Sequence, residues 1–259
     1  MDANEALSII GLLSSNGVEA RRLYLANRLM DITGGVIQHG PMKGYNLGEL
    51  ATWRVADNSA KILGLYEQEI CELLAELGKT RHTLIDLGAA DGFYGVGMVA
   101  SGCYQTSHCF EIIDESRDNI RKIAVNAGVA DRVHLHGAAT ENFMSELQSY
   151  HVALTDSVVL CDIETHEFEV FTEECLKSLS NAHIIIEIHD FMIADGKAKY
   201  EGLLARSRQY FEIHEIKTGA RDLSAIPILS DHWTDSDRWL LCSESRAKLM
   251  SWLYLCPRS

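Results

Sequence analysis

The 259 residues, 47% of them hydrophobic, can bury one sizeable core, and one large α/β domain with an N-terminal extension is the natural reading. The 23 basic and 37 acidic residues leave a formal charge of −14 with no run of Lys or Arg to track phosphates, which argues against nucleic acid as a partner. Seven scattered cysteines without a Cys-x-x-Cys pair, a start without a basic signal segment and no apolar run of membrane-spanning length point to a reduced, cytoplasmic protein with no membrane partner.

In chain order, residues 2–14 and 18–31 read as two short amphipathic helices, with Leu23, Leu25, Leu29 and Met30 as an apolar stripe. Gly34 and Gly35 end the second, and residues 40–44 (Gly-Pro-Met-Lys-Gly) mark an irregular loop. Residues 1–57 are thus expected to form a helical extension or lid, and 58–259 the core. A longer helix is predicted over 58–77, because Ile62, Leu63, Leu65, Tyr66, Ile70, Leu73, Leu74 and Leu77 keep a helical period up to Gly78. Strands then alternate with helices: strands at 82–87, 107–112, 132–136, 157–162, 183–189 and 211–217, helices at 93–101, 115–127, 167–177 and 195–209. Residues 238–242 read as a last strand. Residues 252–255 read as a docking tail, whose aromatics offer an alternative homodimer surface. Such alternation implies a mostly parallel sheet with helices on both faces.

Ligands of an open parallel sheet bind outside the carboxyl ends of its strands, so the strand ends carry the chemistry. They are Asp86, Glu111, His136-Gly137-Ala138-Ala139, Asp162-Ile163-Glu164 and Glu187-Ile188-His189-Asp190. After Asp86, Gly88, Ala90 and Gly92 form a small-residue turn that lets backbone N–H groups approach a ligand closely. Glu111, followed by Ile112, lies about twenty residues on, where a carboxylate can accept both hydroxyls of a ribose. A dinucleotide fingerprint would need a third glycine where Phe93 stands, and a pyrophosphate has no use for the Asp86 anion. A sulfonium and ammonium ligand would welcome it. Each residue also has a structural reading: Asp86 can cap the turn through backbone N–H groups, Ala138 and Ala139 can be plain loop, and His189 can hold the loop before Phe191.

The pattern Asp86-x-Gly88-x-Ala90-x-Gly92 resembles motif I of class I S-adenosylmethionine-dependent methyltransferases, with Ala90 at the middle glycine. Residues 158–169 resemble the Asp-x-Glu-Gly-x-Glu signature of the FkbM-type methyltransferases, with Thr165 at the glycine and His166 after it. Residues 184–189 resemble that family's strand ending in Glu-x-His. The resemblance covers roughly residues 64–217. It implies a Rossmann-like, seven-stranded, mostly parallel sheet of order 3-2-1-4-5-7-6 whose seventh strand is antiparallel.

S-adenosylmethionine is then the expected cofactor, held by Asp86, Gly88, Ala90, Gly92, Glu111, Ile112, Ala138 and Asp162. The expected activity is methyl transfer to a small molecule, by preference at a hydroxyl oxygen of a sugar or natural product. The candidate catalytic groups are His189, as a base with a suitable pKa range, then Asp162, Glu187 and His166. A divalent cation on Asp162, Glu187 and His189 ranks below a metal-free site. Substrate recognition is expected from the N-terminal helices, the 34–48 loop and residues 218–237, with Arg221, Asp231, His232 and Trp233, and with Lys43 or Arg221 as an anion clamp. Two other classes compete. An NAD-dependent oxidoreductase is disfavoured by Phe93 and Asp86, and a non-catalytic nucleoside-binding regulator has no need of Asp162, Glu187 and His189.

Overall fold

Runs of apolar residues such as Val158-Val159-Leu160-Cys161 and Ile184-Ile185-Ile186 have no polar face, as strands covered on both sides require. In a computed structural model, which describes residues 3–48, 55–140, 142–246 and 248–258, these runs are central strands of one sheet. The helices are α1 (Ala3–Thr33), α2 (Asn58–Leu63), α3 (Gln68–Leu77), α4 (Phe93–Ala100), α5 (Asp114–Asn126), α6 (Phe143–Ser149), α7 (Glu167–Val170), α8 (Glu173–Ser178), α9 (Gly196–Ser207) and α10 (Asp235–Leu241). The strands are β1 (Thr83–Leu87), β2 (Thr106–Phe110), β3 (Val133–His136), β4 (Ser157–Cys161), β5 (His183–Glu187), β6 (Phe211–Lys217) and β7 (Ser251–Pro257).

The sheet order is β3-β2-β1-β4-β5-β7-β6. β1 to β5 pair in parallel, and β7 runs antiparallel between β5 and β6. This is the Rossmann-like α/β sheet that the methyltransferase resemblance implies. Register aligns the ends of the central strands, with Leu87 opposite both Phe110 and Cys161. Ile85, Leu87, Phe110, Val159, Cys161, Ile184 and Ile186 are fully buried in a core under those ends.

Six elements differ from the expectation. The two predicted N-terminal helices are one, because Gly17 costs only about 1 kcal/mol inside a helix and does not stop it; residue 2, where the first was to begin, lies outside the described residues. The predicted 58–77 helix breaks after α2 at Gly64. There φ is +74°, and a Cβ would come within 2.0 Å of the His39 carbonyl oxygen. The 167–177 helix is split into α7 and α8, the second capped by Thr172 Oγ1, which accepts from the Cys175 N–H at 3.1 Å. Residues 238–242 are not a strand: 238–241 belong to α10 and Cys242 is its C-cap, the helix being started by Thr234 Oγ1 accepting from Asp237 N–H with Asp235 and Asp237 in the first turn. The seventh strand is instead β7, which includes the supposed tail. α6 was not foreseen.

The chain divides into two compact units, residues 1–66 with 220–246 and residues 67–219 with 247–259. The first unit runs on past the expected extension of 1–57 to residue 66 and takes in the late segment 220–246. In that unit Arg21 grips Asp237 with bonds of 2.9 and 2.8 Å. The buried Arg22 donates to Asp57 at 3.0 Å and to the Ser243 carbonyl at 2.7 Å. Residues 49–54 of the expected extension lie outside the described residues. Among the described residues, no helix is long and apolar enough to cross a membrane.

Candidate active site

The β1 turn is built by backbone constraints. Gly88 has φ +91°, and a Cβ there would meet the Asp162 carbonyl oxygen at 1.8 Å, so only glycine fits. The Gly88 and Ala89 N–H groups both donate to the Phe110 carbonyl at 2.9 Å. Ala90 takes the left-handed region at φ +48°, where the resembled motif has glycine. Gly92, also left-handed, precedes α4. Close packing of α4 on β2 is served by Gly95, whose added Cβ would lie 2.2 Å from Cys109 Sγ. Phe93 itself is buried.

Two carboxylates flank this turn and are treated differently. Asp86 is buried, and its Oδ2 accepts from the Gly95 N–H at 3.0 Å, the capping role weighed from the sequence. Burial lifts its carboxyl to about 7; the Gly95 N–H pulls it back, and the Glu111 and Asp91 charges add to the rise. Glu111 is buried too, but both its oxygens are bonded. Oε2 accepts from Ala90 N–H at 2.9 Å and Oε1 from Ile113 N–H at 2.8 Å. The next side chain, Ile112, is apolar yet 73% exposed. After β3, His136 is buried and bonded to His108 and Glu146, each at 3.0 Å, while Ala138 is half-buried in the following loop.

The ends of β4 and β5 gather a second group. His189 Nε2 lies 3.4 Å from Glu187, 3.6 Å from Asp162 and 3.7 Å from Glu164, and Nδ1 lies 3.5 Å from Glu167. Glu167, fully buried at the start of α7, also accepts the His189 backbone N–H at 2.9 Å. Burial alone would lower the His189 imidazole, but Glu167 and Glu187, then Asp162, outweigh it and lift it to about 10. The surrounding carboxylates therefore favour the protonated ring. Burial, and then the Glu187 charge, push Asp162 well above the usual carboxylate range.

Asp162, Glu187 and His189 are thus brought together as expected. His166 is not: it is exposed at the head of α7, and among the described residues its ring pairs with none of these carboxylates. Glu164 and Glu167 also belong to the group; in the sequence Glu164 stands at a strand end and both lie in the Asp-x-Glu-x-x-Glu spacing, but neither was assigned a role. Glu164 and Thr165 sit at φ +51° and +84°, costly for residues with side chains and most of all for a β-branched one. In the other unit, Trp233, expected in substrate recognition, packs in the core. It is buried, its indole N–H donates to the Ile228 carbonyl at 2.9 Å, and Arg28 stacks on its ring. Arg221 pairs with Glu244 at 3.1 Å.

No protein-family model matches the chain, and no curated protein matches it in sequence. Among solved structures it is similar to an O-methyltransferase from Bacillus cereus in complex with SAH, at 12% identity over 88% of this chain and 96% of that one, with TM-score 0.49. It is also similar to a putative precorrin-6Y C5,15-methyltransferase domain from Corynebacterium diphtheriae, at 16% identity over 75% and 99%, TM-score 0.45. An rRNA methylase from Streptococcus thermophilus is similar at 11% identity over 73% and 96%, TM-score 0.48. At such identities, the chemistry of this chain has to be read from its own residues.

Two outcomes follow from the local geometry. Asp86 has a native pKa near 7, above the roughly 3.9 of an unfolded aspartate, so the native state holds the extra proton between these values. Its contribution to stability is full below about pH 4 and is lost as pH rises through 7. Asp86→Asn keeps an acceptor for Gly95 and removes this slope. From pH 5 to pH 8 the variant should gain about 2–3 kcal/mol on the wild type in urea unfolding; parallel pH profiles would contradict this. Thr165→Gly relieves the left-handed strain and should raise stability by about 1 kcal/mol, net of the added unfolded-state entropy. A lower urea midpoint would mean that the threonine side chain compensates its own strain.

Proposed function

We propose that the chain is an S-adenosylmethionine-dependent methyltransferase that methylates a small molecule at a hydroxyl oxygen. The observation that carries this reading is Glu111, clamped by the Ala90 and Ile113 amides at the lip of the Gly88–Gly92 turn. A carboxylate has about four acceptor positions, and two amides use two of them, so each oxygen can still take a ribose hydroxyl. Beside it, the exposed Ile112 offers an apolar face for a purine ring, and the Ala138 backbone can read the ring's edge. The buried Asp86 carboxyl, bonded to the Gly95 N–H, gives the same end of the sheet an acidic group, which suits a cationic ligand that favours its ionised form and opposes a pyrophosphate.

When bound, the cofactor supplies a methyl group on a sulfonium that is already an activated leaving group. The residues of the chain then have to align and shield. Asp162 stands next to the turn through the Gly88 contact, with a side chain 36% exposed, and can accept a hydrogen bond from an acceptor hydroxyl. Glu187 and Glu167, both buried, hold His189 behind it. A hydroxyl needs help to lose its proton and such a carboxylate-rich group provides acceptors, which favours oxygen over an acceptor that is already deprotonated.

Calorimetry with S-adenosylhomocysteine tests the reading. The wild type should bind it, and Glu111→Ala should weaken binding roughly tenfold or more, the size of hydrogen bonds to a charged acceptor. Tight binding of NAD with none of the adenosyl-sulfur ligand would overturn it.

A further inference from the structure

The loop after β4 places more acid around one imidazole than its hydrogen bonds use. The three carboxylate oxygens facing His189 Nε2 lie 3.4, 3.6 and 3.7 Å away, beyond the roughly 2.7–3.2 Å of a well-formed bond. The His189 side chain is only 4% exposed, yet its Nδ1 has no hydrogen-bond partner; the buried Asp162 Oδ1 and Glu167 Oε2 have none either. Of these atoms, Asp162 Oδ1 faces Nε2 whereas Nδ1 faces Glu167 Oε1, and a buried polar atom left unmatched costs free energy unless a ligand satisfies it. No Lys or Arg among the described residues pairs with Asp162, Glu164 or Glu167, and His189 is the one basic side chain among the described residues that faces all three.

Donor atoms of Asp162, Glu164 and His189 all lie within 4.8 Å of one another. A hard cation with bonds of about 2.0–2.6 Å holds opposite donors about 4–5 Å apart, so the three can close on one ion with little movement. We propose that Asp162, Glu164 and His189 form a binding site for a single divalent cation of the magnesium and manganese class. Two carboxylate oxygens and one imidazole nitrogen suit such an ion, manganese in particular. Glu167 acts behind them as a positioning residue: its Oε1 accepts the His189 backbone N–H and faces the ring. Glu187, buried beside the ring, adds negative charge from the second strand. Three protein donors leave positions open toward solvent, where Glu164 is 60% exposed. Under the methyl-transfer reading, and resting on it, those positions would face the acceptor oxygen.

Manganese alone is the probe, titrated into the full chain and followed by the paramagnetic signal of free Mn2+ and by calorimetry. One ion per chain is expected. Glu164→Gln, at an exposed position that the fold does not need, and His189→Ala should each weaken binding roughly tenfold or more. Glu169→Gln, an exposed carboxylate outside the group, should change nothing. Absence of stoichiometric binding, or equal losses in Glu164→Gln and Glu169→Gln, would overturn the site. S-adenosylhomocysteine binding measured on the same samples separates the two proposals. Homocysteine-ligand binding without manganese overturns the cation site alone, and manganese binding without that ligand supports the site while contradicting the methyltransferase reading.

Discussion

Gly88 approaches the Asp162 carbonyl so closely that no side chain fits between them. The bond from Asp162 N–H to the Leu87 carbonyl, at 2.9 Å, continues the β1–β4 ladder up to this contact. On the other side, the Gly88 and Ala89 N–H groups both end on the Phe110 carbonyl. Three strand ends are therefore fixed to one another by backbone alone, above a core of fully buried Ile85, Leu87, Phe110 and Cys161. The turn that joins β1 to the end of β2 and the acidic group at the ends of β4 and β5 are consequently neighbours in one frame. Frames of this kind let a site hold its geometry without loops having to order on binding.

Negative charge is handled in three ways along this edge. Asp86 is deprived of water and has one backbone donor, so its proton is retained up to about pH 7. Glu111 is buried too but has an amide on each oxygen. The β4 and β5 ends crowd four carboxylates around one imidazole and leave buried atoms unmatched. A satisfied carboxylate, a desolvated one and an over-supplied one suit different tasks: holding neutral hydroxyls, facing a cationic group, and gathering a cation. The unfavourable backbone at Glu164 and Thr165 falls in the third region, where strain persists only because the surroundings over-determine it.

The parallel half of the sheet was legible because its signals are local. Apolar runs of four or five residues, each closed by a polar or small residue, mark both the strands and the edge where ligands bind. β7 was hidden because residues 238–242, most of which form α10, read as the last strand, and the apolar run at 252–255 follows them without a further helix to continue the alternation. The helical errors came from caps. Thr172 and Thr234 start new helices where a continuous pattern suggested none, and Gly64 stops one where the apolar period runs on. In the site, Asp162, Glu187 and His189 could be gathered from strand ends, but the state of His189 could not. It depends on Glu167, twenty-two residues away in sequence and fully buried beneath the ring.

The central claim is that the Glu111 clamp over the β1 turn is the nucleoside site. The most direct measurement is an amide NMR titration of chain labelled with 15N at alanine and isoleucine. The Ala90 and Ile113 N–H groups donate to the two oxygens of that carboxylate and report on anything that binds it. Addition of S-adenosylhomocysteine should shift both resonances, together with that of Ala138, while alanines of α9 and α1 stay in place. Saturable binding that leaves Ala90 and Ile113 unmoved would contradict the account.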